Sequence, residues 1–124
     1  TLTYANAGHC RPVVLTPDST EIAEHSDLIL GLEPDASFSD VTLDLAPETA
    51  LLAYTDGLME LSALDGNMLG EEGVQAAASD AYGSDDPVDT LLEAALHRSD
   101  KEDFQDDILA VWLRRHAPTG RTTA

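Results

Sequence analysis

The residues of this chain best placed to do chemistry are carboxylates at the ends of apolar runs. Asp56 closes Leu51-Leu52-Ala53-Tyr54-Thr55 and is followed at once by Gly57 and Leu58. Asp106-Asp107 opens a second run, Ile108 to Leu113. Apolar residues around Tyr54 suit a strand buried on at least one face. Asp is a poor strand former, so Asp56 falls where the strand gives out. Gly57 has no Cβ and lets another group approach the backbone closely. A carboxylate on a rigid strand end is a good ligand for a hard divalent cation. Asp56 and Asp106 stand fifty positions apart, so only a sheet that sets the two strands side by side can bring them together. Convergence of Asp56, Asp106 and Asp107 would place like charges where they repel by several kcal/mol, at ~4 Å and intermediate dielectric. Protonation of one carboxylate or a bound cation would relieve that repulsion. A bound divalent cation lowers the pKa of a coordinated water, supplying hydroxide for attack on phosphorus.

Plainer uses of the same residues exist. Asp-Gly is a common two-residue hairpin turn, but that use needs a partner strand at once, and Leu58-Met59-Glu60-Leu61 is a helix former. His9, in the turn Asn6-Ala7-Gly8-His9, can be read as a catalytic base, a metal ligand or a ring that bonds the loop backbone. No second His stands at ligand spacing nearby, which favours the last. His25, His97 and His116 have less context still. Cys10 reads as a small packed side chain, since no base is organised beside it.

The whole chain sets bounds. Its 124 residues are the size of one domain, and 43% hydrophobic content suffices for a core. No stretch approaches the ~20 apolar residues of a membrane span, and no secretory leader is visible. A single cysteine fits a reducing compartment, and the cytoplasm is the expected location. The formal net charge of −18, from 24 acidic against 6 basic residues, argues against nucleic-acid or anionic-membrane partners, whose footprint is a basic patch.

Along the chain, Thr1–Ala5 alternates as a strand but has no preceding turn, as if cut from a longer domain. The spacing predicts a hairpin of Thr1–Ala5 with Pro12–Thr16, then a turn at Pro17–Thr20 and a polar, weakly structured stretch from Glu21 to Asp27. Leu28–Leu32 reads as a brief strand or a buried loop. Phe38 to Leu45 alternates as a half-exposed strand that forms a second hairpin with the Leu51 run. Glu60–Gly70 reads as an irregular, mobile insertion. Val74, Ala77, Ala78 and Ala81 share a helix face, and Asp86 caps a second helix that starts at Pro87. The continuous run Ile108–Leu113 suggests a strand covered on both faces, and residues 116–124 a disordered tail.

Five segments come in the order and rough spacing of one family: Tyr4-Ala5-Asn6-Ala7-Gly8-His9, Leu30-Gly31-Leu32, Leu51 to Leu58, Leu69-Gly70-Glu71-Glu72 and Asp106-Asp107-Ile108. Together they resemble the C-terminal half of a PPM-type (protein phosphatase 2C-like), metal-dependent serine/threonine phosphatase, in the sporulation stage II protein E branch. The likeness spans residues 1–115. It implies an α+β fold, part of an αββα sandwich of antiparallel sheets with flanking helices, with two Mn²⁺ or Mg²⁺ ions at one edge. By motif position it implies Asp56 and Asp106 as metal ligands, with Asp107, Gly57 and His9 supporting them. The resemblance further implies attack by a metal-activated water, with no covalent intermediate on a residue. The implied substrate is a phosphorylated regulatory protein such as an anti-anti-sigma factor.

One departure matters. The family's metal-bridging aspartate, in a Gly-Asp pair of the N-terminal half, has no counterpart in residues 1–124, so the chain alone is expected to lack a complete two-metal site. Two other readings compete: a non-catalytic protein-binding or regulatory module of the same fold, and an acidic α+β domain without metal chemistry. Apolar surface left by absent strands could also drive homodimerisation.

Overall fold

The apolar run before Asp56 is the strand on which the molecule is built. The computed structural model describes residues 1–119. In chain order the elements are β1 (Leu2–Tyr4), β2 (Val13–Leu15), β3 (Thr20–Ile22), β4 (Val41–Leu43), β5 (Ala50–Tyr54), α1 (Asp56–Met59), α2 (Gly70–Ala81), α3 (Pro87–His97) and β6 (Ala110–Arg114). Antiparallel pairing gives a four-stranded sheet of order β3-β2-β5-β6 and a separate β1-β4 ladder.

Alternation along β5 divides its side chains between two environments. Ala50, Leu52 and Tyr54 are buried with Val13 and Leu15 of β2, under Val74, Ala77, Ala78 and Ala81 of α2 and Leu91 and Ala95 of α3. Each large apolar side chain buried there contributes about 1.5–3 kcal/mol relative to exposure. The alanine face of α2 lets that helix lie close against α3 and the sheet. α3 begins as its sequence predicts, with Pro87 in its first turn and the Asp86 carboxylate accepting from the Asp89 N–H. On the other sheet face, Leu51 and Ala53 look across an apolar cavity of about 200 Å³ to Leu2 and Tyr4 of β1.

Several expectations are corrected. Neither predicted hairpin forms: β1 pairs with β4, while β2 pairs with β3 and β5. Alternation marks a strand but not its partner. The stretch read as weakly structured contains β3, whose Glu21 is exposed and whose Ile22 is half-buried. Leu28–Leu32 is neither strand nor buried loop: it is a turn whose Leu30 is 70% exposed. β6 is not covered on both faces, because Val111 and Leu113 are 54% and 45% exposed. Its burial alternates, and among the described residues no layer covers the face that carries Val111 and Leu113. The Glu60–Gly70 segment is irregular but tied down, with Ala63 N–H donating to Asn67 O, Leu69 N–H to Leu61 O, and Leu61 and Leu69 buried. Of the predicted disordered tail, residues 120–124 lie outside the described residues. Before them, Ala117 N–H donates to Glu48 Oε1.

Glu48 knots the end of the sheet opposite Asp56. It sits at φ 69 in the turn before β5, and its N–H donates to Arg115 O. Its carbonyl accepts from Tyr82 Oη–H, and its carboxylate pairs with Arg114. The Arg114 hydrogen bond, then the Ala117 N–H, hold the Glu48 carboxyl below its ordinary value. A depressed folded pKa stabilises the fold at neutral pH and ceases to do so as pH falls through that value. Glu48→Gln should therefore lower the urea midpoint at pH 7, with the gap from wild type closing as pH is taken well below the ordinary 4.5. A gap independent of pH would show that the charge contributes nothing.

Candidate metal centre

Three carboxylates meet where β5 ends and β6 begins. The β5–β6 ladder runs from Ala50↔Arg114 to Tyr54↔Ala110, and Thr55 extends it. Thr55 N–H donates to Leu109 O at 3.0 Å, and the Thr55 hydroxyl accepts from Leu109 N–H at 2.9 Å. The next residue, Asp56, opens α1, and one turn later Glu60 N–H donates to Asp56 O at 2.8 Å. Residues i and i+4 share a helix face, so the two side chains project together. Carboxylate oxygens of Asp56, Glu60 and Asp106 all lie within 4.8 Å of one another, and all three residues are exposed.

Gly57 is required for this approach. A Cβ on it would lie 2.5 Å from Asp107 O and 3.3 Å from Ile108 Cγ1, so α1 rests directly on the backbone that carries Asp106. Asp107 takes part through that backbone: its carbonyl abuts Gly57, and its N–H donates to Asp106 Oδ1 at 2.8 Å. The third member of the cluster is Glu60, not Asp107.

An open cleft of about 470 Å³ lies beside the cluster, walled by Asp56, Glu60, Gly8, His9, Cys10 and Glu71 among others. His9 is outside the cluster. Its Nδ1 lies 3.0 Å from Cys10 O, and its N–H donates to the buried Asn6 Oδ1 at 2.8 Å. Burial, then the Asp56 charge, push the Cys10 thiol up, which keeps it protonated and a poor nucleophile. Burial likewise raises the phenol of Tyr54, the last residue of β5. Glu71, in the first turn of α2, is held by the Arg11 guanidinium, whose Nε lies 3.1 and 3.2 Å from its two oxygens.

Sequence reading places Asp56 and Asp106 on adjoining strand ends, and they adjoin. It misses Glu60, which it assigns to the irregular segment. The available signal was the four-residue step from Asp56 across helix-forming Leu58-Met59. It also passes over Thr55, whose hydroxyl is visible only once β6 is alongside. Three exposed carboxylates without nitrogen or sulfur donors fit a hard cation such as Mg²⁺ or Mn²⁺ rather than a soft one.

Solved structures share this architecture. The SiaA PP2C domain of Pseudomonas aeruginosa matches at TM-score 0.69 and 14% identity, over 84% of this chain and 42% of that one. The structure of the PP2C phosphatase domain with a regulatory-domain fragment of SpoIIE from Bacillus subtilis matches at TM-score 0.69 and 16% identity, over 90% and 33%. The structure of the RsbU and RsbW domains of Rv1364c from Mycobacterium tuberculosis matches at TM-score 0.64 and 25% identity, over 95% and 33%. The chain thus spans between a third and a little over two-fifths of the length of these proteins. Its antiparallel sheets and helices have the PP2C phosphatase-domain fold. The sequence model of the stage II sporulation protein E (SpoIIE) family matches residues 1–116, and the chain belongs to that family. Comparison with curated proteins returned no match.

The Gly57 contact yields a test. Gly57→Ala forces a methyl group against the Asp107 carbonyl, and such overpacking typically costs about 1–3 kcal/mol. The urea midpoint should fall accordingly, with the largest amide shifts at Asp106–Leu109. Wild-type stability and an unshifted spectrum would show that the two strand ends are not in contact.

Proposed function

We propose that this chain is the C-terminal part of a cytoplasmic, metal-dependent phosphoprotein phosphatase. The reading is carried by one observation: Asp56, Glu60 and Asp106 converge within 4.8 Å at the edge of a PP2C-type fold. Asp56 and Asp106 would hold Mn²⁺ or Mg²⁺, with Glu60 as a further oxygen donor. A divalent metal at such a site acidifies a coordinated water and neutralises charge on a phosphoryl group. The chain's own residues do the rest. Thr55 and Gly57 fix the separation of the two strand ends, Asp107 orients Asp106 through its N–H, and His9 and Gly8 wall the cleft. Arg11 neutralises Glu71, which keeps an additional carboxylate in the cleft from repelling a phosphate. Among the described residues no side chain is organised as a nucleophile, and the protonated Cys10 is unsuited to be one, which agrees with direct attack by water.

The substrate we propose is phosphoserine or phosphothreonine on a regulatory protein of the anti-anti-sigma type. Residues 1–124 supply three clustered carboxylates, and the bridging aspartate of the family site would come from an N-terminal half. A non-catalytic module of the same fold is the competing outcome.

Calorimetric titration of Mn²⁺ into the full-length protein separates the two. Two saturable sites are expected, both weakened or lost in Asp56→Asn and Asp106→Asn, together with Mn²⁺-dependent hydrolysis of p-nitrophenyl phosphate. The 124-residue chain alone should show little or no turnover. Removing one of three mutually repelling charges should also raise the metal-free urea midpoint of Asp56→Asn, because their spacing is inside the ~8 Å Debye length of physiological salt. Binding unaffected by either substitution would refute the assignment.

A further inference from the structure

Separate parts of the chain build the cleft. The end of β5 and α1 supply Asp56 and Glu60, and the turn between β1 and β2 supplies Gly8, His9 and Cys10. Three of the lining side chains, Asp56, Glu60 and Glu71, are carboxylates, and His9 alone carries nitrogen. A phosphoryl group entering so acidic a cleft gains from a positively charged donor. A carbonyl oxygen only accepts, so the His9 Nδ1, 3.0 Å from Cys10 O, carries a proton, and Nε2 is left for another partner. Imidazole takes up a proton readily near neutral pH, and a neighbouring anion favours that charged form.

The turn that carries His9 is held from outside its own strands. His9 N–H donates to Asn6 Oδ1 at 2.8 Å, and Asn6 is buried. The Asn6 carbonyl accepts from Asp27 N–H at 2.9 Å, and Asp27 bridges Ala7 in parallel. Asp27 is tied down in turn. Its carboxylate accepts from Ser39 N–H at 2.8 Å and lies 3.1 Å from His25 Nε2. The Ser39 N–H, then His25, hold that carboxyl below its ordinary value. Two residues further on, Ile29 lies so close over Gly8, at φ 77, that a Cβ there would be 2.7 Å from Ile29 Cα. Asp27 thus closes residues 25–39 on themselves and clamps them to the His9 turn.

We infer that Asp27 is a positioning residue: through Asn6 it sets His9, which contacts the phosphoryl group of the substrate. The inference rests on the phosphatase reading and gives the second wall of its cleft a role. Asp56, Glu60 and Asp106 stand on other elements, so the clamp governs substrate binding and leaves metal binding alone.

The test is a double-mutant cycle in the full-length protein, with Mn²⁺ affinity measured by calorimetry and KM for p-nitrophenyl phosphate measured alongside. His9→Ala should raise KM about ten-fold, the order of one hydrogen bond to a charged group, with Mn²⁺ affinity unchanged. Asp27→Ala should raise KM comparably, and the double variant no more than His9→Ala alone, because residues that act through one contact do not add. Asp27→Asn keeps an oxygen to accept from Ser39 N–H and should restore most of the KM. An unaltered KM in Asp27→Ala, additive effects in the double variant, or a loss of Mn²⁺ affinity in step with KM would overturn the inference. If Asp27→Ala does not fold, Ser39→Pro removes the N–H donor at an exposed residue and takes its place in the cycle with the same expectations. If wild type hydrolyses nothing, the phosphatase reading fails separately. Amide spectra then decide the clamp: shifts in Asp27→Ala that reach Gly8–Cys10 and spare Thr55–Glu60 uphold it, and undisturbed Gly8–Cys10 signals remove it.

Discussion

Packing in this protein holds together charges that would otherwise separate. The β5–β6 ladder and the paired Thr55–Leu109 hydrogen bonds lock two strand ends side by side. α1 then turns Asp56 and Glu60 toward Asp106. Nothing in the cluster favours this arrangement in the absence of a cation. Its cost is offset by the buried core, which includes Leu52, Tyr54, Leu58 and Leu91. A local rule is broken where the rest of the molecule is consistent, which is how functional sites commonly stand out.

The surroundings of the cluster limit the damage. Arg11, one of only six basic residues, is spent on Glu71 at the cleft wall. Cys10 and Tyr54 stay neutral because burial raises both. The cleft thus presents its uncompensated negative charge in one place, at the junction of the strand ends. Elsewhere acidic residues such as Asp85, Asp86 and Asp89 lie exposed on the surface, where salt screens them.

Much of the fold was legible in the sequence, and the gaps have physical causes. The Leu51 run, the alanine face of α2 and the Asp86-Pro87 start of α3 are local patterns, and local patterns survive folding. Strand partners are not local. β1 finds β4 across some forty residues, and β2 lies between β3 and the distant β5, so both expected hairpins were artefacts of proximity along the chain. An apolar run suggests burial, whereas Leu28–Leu32 and the outer side of β6 are exposed. In the site, Asp56 and Asp106 can be read because one closes an apolar run and the other opens the next. Glu60 could be found only by seeing that Gly57-Leu58-Met59 makes a helical turn, and Asp107 drew attention as a carboxylate although its backbone does the positioning.

The central claim is that one junction, out of 24 acidic residues, is built to take a divalent cation. Paramagnetic broadening of amide resonances by trace Mn²⁺ reads this directly in the assigned protein. Selective loss of the signals of Thr55–Glu60 and Asp106–Leu109 is the expected result. Broadening spread over the other acidic segments, such as Asp85–Asp89, with those two strand ends spared, would contradict it.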